Sequence, residues 1–206
     1  MVMHVDDLFV FAAYAVREIR SLQKHIKTDE PEKIDDGALH AYCGLSVRMS
    51  GGELLWDQGQ YVQNICAGIE EKGERLTDRD FADIAEGEID PSLQTEHQEK
   101  VGKLGWMVKS QPHLSFLFSA LSRHNTKPSR KSLRAVDKAL CYAKSTVRPL
   151  RLHSLKKGER PVLLGWVDAS YDRDKKEGRK GMEFQLVGES ALAGDITQLD
   201  YDNTVM

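Results

Sequence analysis

The first fifteen residues, Met1 to Ala15, are apolar or aromatic except for His4 and one adjacent pair of carboxylates, Asp6-Asp7. A half-exposed strand alternates polar with apolar side chains, so a segment this uniformly apolar has to be covered on both faces. Its spacing predicts two short strands, Val2 to Val5 and Leu8 to Ala12, joined across Asp6-Asp7 in a tight hairpin. The rest of the chain must therefore supply a core into which a hairpin can be pressed.

The elements that follow are mixed. Val16, Ile19, Leu22 and Ile26 recur at helical spacing from Ala13 to Ile26, and the polar stretch Lys27 to Gly37 ends that helix. Residues 39–48 and 53–56 flank Ser50-Gly51-Gly52, a strand-turn-strand signal in which glycine supplies positive φ. Asp57 stands where it would cap a helix from about Gln58 to Cys66, with Tyr61, Val62 and Ile65 on its apolar side. The acidic stretch after it, through Asp90-Pro91, carries few apolar residues and is expected to be a linker or loop.

Three helices are predicted between Thr95 and Thr146. The first ends near Ser110, the second begins at Pro112 and the third follows Pro128. Leu114, Leu117, Phe118 and Leu121 face the core from the second, and Leu133, Val136 and Leu140 from the third. Trp56, Trp106, Phe116, Phe118 and Trp166 sit among aliphatics and are expected in the core. A strand from Val162 to Asp168, a charged turn from Asp172 to Lys180 and a strand near Met182 to Val187 come last. The fold class expected is α+β.

Several functional classes are excluded by what the sequence lacks. No apolar run approaches the ~20 residues of a membrane helix, and the opening residues lack the basic region of a secretory signal. An intracellular protein, in cytoplasm or nucleus, is expected. Cys43, Cys66 and Cys141 are odd in number and widely spaced, which suits buried thiols better than a disulfide framework or zinc site. Net charge is only -3, yet the charge is strongly segregated. Residues 70–99 hold eleven acidic and three basic side chains; residues 123–160 hold twelve basic and two acidic. An anionic partner is expected for the second segment.

Two features could carry chemistry. Adjacent carboxylates at a hairpin tip can hold Mg²⁺ through hard oxygen ligands, and Asp6-Asp7 has that form; Asp also favours turns by bonding its own backbone. Asp168, closing the apolar run Val162 to Val167, is open to the same two readings. Separately, Arg130, Lys131, Arg134 and Lys138 recur three and four residues apart opposite Leu133, Val136 and Leu140, and Arg123 and Lys127 precede them. Such a stripe suits contact with nucleic-acid phosphates or simply a solvated face. Of the seven histidines, only His4 lies beside a candidate site.

The order of motifs resembles the polymerase of copia-type LTR retrotransposons over nearly the whole chain. That family's Tyr-Val-Asp-Asp hairpin is similar to His4-Val5-Asp6-Asp7, and its Phe-Leu-Gly strand to Tyr42-Cys43-Gly44. Its Ser-Gln-x-x-Tyr helix start resembles Asp57-Gln58-Gly59-Gln60-Tyr61. Its Val-Gly-Ser-Leu and Arg-Pro-Asp segments resemble Val101-Gly102-Lys103-Leu104 and Gln111-Pro112-His113. Leu121-Ser122-Arg123 matches its Leu-Ser-Arg, and Asp168-Ala169-Ser170-Tyr171 is similar to the Asp-Ala-Asp-Trp that enters ribonuclease H. His4, Gln111 and Ser170 depart from the pattern.

The resemblance implies three parts. Residues 1–94 would be the C-terminal part of a reverse-transcriptase palm with its closing hairpin, 95–158 a helical thumb or connection, and 159–206 an incomplete ribonuclease H-like sheet. It implies Asp6 and Asp7 as polymerase Mg²⁺ ligands, Asp168 as a nuclease ligand, and Arg123, Lys127, Arg130, Lys131, Arg134 and Lys138 as contacts to an RNA–DNA or DNA duplex. The rest of a polyprotein is a further expected partner. The family's third polymerase carboxylate lies upstream of the hairpin and its later nuclease ligands downstream of Asp168, so this chain by itself is expected to show little or no catalysis.

Overall fold

A computed structural model describes residues 2–4, 7–10, 14–35, 37–69, 75–172 and 177–193. The chain is mixed helix and sheet, as expected, and divides into two compact units: residues 57–150, and residues 1–56 together with 151–206. The boundaries expected at 94 and 158 fall inside these units.

In the second of these, β1 (Val2–His4) and β2 (Asp7–Phe9) form the antiparallel hairpin, with Val2 opposite Phe9 and His4 opposite Asp7. Asp7 belongs to the second strand rather than to the connection, and Val5, Phe11 and Ala12 of the expected strands lie outside the described residues. Asp6 lies outside the described residues. Helix α1 (Ala15–Leu22) is shorter than the Ala13 to Ile26 reading and buries none of its residues.

Residues 39–48, read as one strand, instead fold back at Cys43-Gly44 into β3 (His40–Tyr42) and β4 (Leu45–Ser50), with Tyr42 opposite Leu45. Both connecting residues have positive φ, 48° and 73°, which is the geometry of a two-residue hairpin turn. Gly51 and Gly52 make the next turn in the same way, at 60° and 83°, into β5 (Glu53–Asp57). With β6 (Leu150–Leu152) these strands form one sheet in the order β3-β4-β5-β6. Glu53 links β5 to the β6 end through Arg151 at 3.1 Å and His153 at 3.0 Å. Phe9, Tyr42, Leu45, Val47 and Leu54 are its buried core, and the rings of Phe9, Tyr42 and Trp56 meet with centroids 5.2 to 6.4 Å apart. The apolar hairpin is thus seated by an aromatic cluster.

The last strands, β7 (Pro161–Asp172) and β8 (Glu177–Gly188), are longer than expected and form a two-stranded sheet of their own. Their ladder runs from Pro161–Gly188 to Asp172–Glu177, so most of the predicted charged turn is strand. One face carries Val187 and Gln185, both buried. The opposite face exposes Leu163, Val167, Met182 and Phe184. Phe184 lies over Gly165, where an added Cβ would come 3.0 Å from its ring.

In the unit 57–150, α2 (Gly59–Ile65) has Gln58 rather than Asp57 at its N-cap, and Asp57, one residue earlier, accepts the Gly59 N–H at 2.6 Å. The acidic stretch is not a linker in its described part. It forms α3 (Asp78–Ala85), anchored by buried Ile84 and preceded by buried Leu76. Three further helices follow as expected: α4 (Gln94–Met107), α5 (Ser115–Ser122) behind a short 3₁₀ turn at Pro112–Leu114, and α6 (Arg130–Thr146). Val101, Leu104, Met107, Leu114, Leu117, Leu121, Val136 and Leu140 form the core with Val62, Cys66 and Ile84. Each such side chain contributes about 1.5–3 kcal/mol on full burial. Of the aromatics expected in the core, Trp56 and Phe118 are half-buried against the two clusters, Trp106 and Trp166 are half-buried outside them, and Phe116 is 52% exposed, edge-on to Phe81.

Candidate nucleic-acid interface

Helix α6 starts because Ser129 and Ser132 cap it reciprocally: the Ser129 hydroxyl accepts the Ser132 N–H at 3.1 Å, and the Ser132 hydroxyl accepts the Ser129 N–H at 2.9 Å. Ser132, Ala135, Val136, Ala139, Leu140 and Ala143 are buried on one side. At ~100° per residue the other side carries Arg130, Arg134, Lys138 and Lys131 within one stripe. Arg130, Lys131 and Arg134 are exposed, as are Arg123 and Lys127 on the connection from α5. The structure therefore brings all six predicted basic residues onto one helix and its lead-in.

They are not equivalent. Lys138 is only 20% exposed and donates to both carboxylate oxygens of Asp80 on α3, at 3.0 and 3.1 Å. Partial burial pushes the Asp80 carboxyl up. It is outweighed by the Thr77 N–H and hydroxyl, which donate at 2.6 and 2.7 Å, and by the Lys138 ammonium, leaving it at about 2. Asp90, at the end of the acidic stretch, holds its backbone against the start of α6 through its N–H to Pro128 O at 2.8 Å. Its carboxyl is lowered by the Ser92 hydroxyl and N–H and by the charge of Arg130. Lys100 on α4 bridges Glu96 at 2.8 Å and Asp137 of α6 at 2.7 Å. The acidic segment so compensates one edge of the basic helix and leaves Lys127, Lys131 and their neighbours outward.

The connection between α5 and α6 has a buried anchor that the sequence did not reveal. His97 on α4 has no exposed surface, and its Nδ1 lies 3.0 Å from Asn125 Oδ1. A carboxamide oxygen only accepts, so Nδ1 carries the proton and Nε2 the lone pair. Nε2 is buried without a hydrogen-bond partner. Gln98 donates to the Asn125 carbonyl at 3.0 Å. Burial lowers the His97 pKa against the opposing effect of Asn125; burial, His97 and Arg123 lower that of His124. The available signal was His97's position in register with Val101, Leu104 and Met107 on the buried face of α4.

A second buried polar group joins two of the motif segments. The Ser110 hydroxyl donates to Gln58 Oε1 at 2.7 Å, beside Gln111, and all three residues are buried.

The carboxylate sites fare differently. Asp6 and the side chain of Asp7 fall outside what is described. Asp168 does not close its strand but lies mid-way along β7, exposed and opposite Gly181. The acidic residue on the same face two rungs away is Glu183, also exposed. Among the described residues no three His, Cys, Asp or Glu side chains are grouped to hold a metal, so the donors described do not make up a two-Mg²⁺ set. No helix among them is long and apolar enough to cross a membrane.

Comparison with protein-family models, curated proteins and solved structures finds no match to this chain. The helix-borne basic surface is therefore read on its own chemistry.

Proposed function

We propose that this chain derives from a copia-type retrotransposon polyprotein, from the region where reverse transcriptase runs into ribonuclease H, and that by itself it holds a nucleic-acid backbone. The observation that carries the binding reading is the outward stripe of Arg130, Lys131 and Arg134 on a helix whose opposite face is core, extended by Arg123 and Lys127. Lysine and arginine in such a row bind phosphates without reading bases. An RNA–DNA or DNA duplex is the partner this lineage supplies. In the same reading Asp6, Asp7 and Asp168 descend from Mg²⁺ ligands. Because the described donors do not complete a site, no hydrolytic or polymerising step is assigned to them.

Fluorescence anisotropy with a labelled RNA–DNA duplex tests the proposal. Affinity falls steeply as salt rises from about 50 to about 200 mM, and replacing Arg130, Lys131 and Arg134 by alanine lowers the salt slope by about 2–3 with no change in sequence preference. Affinity that does not respond to salt, or a triple variant that binds like the parent, overturns it.

A further inference from the structure

We infer that the α5–α6 connection is an acid-released clamp: neutral His97 holds Asn125, and protonation at Nε2 frees residues 123–127, withdrawing Arg123 and Lys127 from the phosphate-binding stripe. The inference rests on the backbone-binding reading and specifies its regulation.

The described backbone ties within the connection are local. Its own backbone bonds are single turns, His124 N–H to Leu121 O, Asn125 N–H to Ser122 O and Lys127 N–H to His124 O, each 3.1 Å. Asn125 is the residue through which α4 holds it, by the His97 ring and the Gln98 amide. A proton on Nε2 would place a full charge in a site with no exposed surface and no acceptor, where an unpaired charge is strongly disfavoured.

The surrounding charges reinforce this. On the connection stand Arg123, His124 and Lys127; on α6 Arg130, Lys131, Arg134, Lys138 and Lys144, with Asp137 already engaged by Lys100. The turns beside α4 contribute Asp90 and His113, and α4 itself Glu96, Glu99, Lys100 and Lys103; α5 has no charged side chain. No carboxylate bonds the His97 ring, because its Nδ1 is taken by Asn125 and its Nε2 has no partner. The protonated ring therefore finds solvation only by leaving its site, and the connection it holds leaves with it.

Two readouts on the full chain test this between about pH 7.5 and about pH 5.5, the range in which histidine titrates. In hydrogen exchange, protection of the His124, Asn125 and Lys127 amides falls on acidification while core amides of α4 and α6 keep theirs. Duplex affinity, measured at constant ionic strength, weakens about tenfold, the equivalent of losing one charged hydrogen bond. General electrostatics would strengthen it, since acid adds positive charge. His97→Asn, which keeps a donor near the Nδ1 position but does not titrate, abolishes both responses. Asn125→Asp, which offers the imidazolium an anionic partner, keeps the clamp shut in acid. The inference is overturned if the connection stays protected, if α4 and α6 open together with it, or if wild type and His97→Asn bind duplex with the same pH profile. A clamp that opens as described in a chain that binds no duplex at either pH would instead remove the backbone-binding reading.

Discussion

Replacing Asp80 by alanine tests whether the acidic segment is a structural partner of the basic helix. The carboxylate accepts from the Thr77 N–H at 2.6 Å, the Thr77 hydroxyl at 2.7 Å and Lys138 at 3.0 Å. A carboxyl that drops from 3.8 to about 2 on folding would contribute about 2 kcal/mol at neutral pH. The side chain is 25% exposed, so solvent screening trims that figure, and alanine is the better helix former. A net loss of about 1.5 kcal/mol is expected, matching a lost cap of ~1 kcal/mol plus part of an ion pair. Urea titration followed by far-UV circular dichroism would show the midpoint falling by about 1 M. The sign of the pH dependence follows from a depressed carboxyl: its stabilisation is complete above the unfolded value of 3.8 and disappears as pH falls through about 2. The gap between variant and parent should therefore be widest near neutrality and nearly closed at about pH 2. A gap of the same size at both pH values, or none near neutrality, would refute the assignment.

Three further outcomes follow from the same geometry. His97, His113 and His124 all lie below the ordinary histidine value of 6.5, each chiefly through burial, so the unfolded chain takes up protons first. Melting temperatures should hold above about pH 6.5 and decline below it, each histidine adding at most ~1.4 kcal/mol per pH unit; a flat profile to about pH 5 contradicts this. Gly105→Ala places a Cβ 2.6 Å from the Phe118 ring and should cost about 1–3 kcal/mol, recovered in part by adding Phe118→Leu. Val167→Lys or Met182→Lys, each made singly because the two residues face each other across the last hairpin, should leave stability within about 0.5 kcal/mol while lowering self-association in light scattering.

The helices between Gln94 and Thr146 were readable because their apolar residues keep a 3.6-residue period over long stretches and prolines mark two starts. The acidic stretch misled because its composition is that of a linker, while Leu76 and Ile84 suffice to seat one short helix whose charges are met from another part of the chain. Residues 39–48 misled for a local reason: the turn at Cys43-Gly44 puts a non-glycine residue at positive φ, which sequence rarely announces. Asp168 was placed at a strand end because the apolar run stops there, but backbone pairing continues to Asp172 without an apolar side chain at every rung. In the candidate interface, the basic stripe was fully legible, since it needs only helical periodicity. The loss of Lys138 to Asp80 and the anchoring of Asn125 by His97 join residues 58 and 28 positions apart, and no local pattern encodes such pairs.

The packing of α3 against α6 also governs how this unit is felt at a distance. Residues 57–150 hold fourteen basic and thirteen acidic side chains, so opposite charges far apart in sequence nearly cancel once folded together. Beyond a Debye length of about 8–10 Å an approaching polyanion meets an almost neutral body. Under the proposed backbone binding, capture is then a matter of collision and local fit, and ionic strength should act on how long a duplex stays far more than on how fast it arrives.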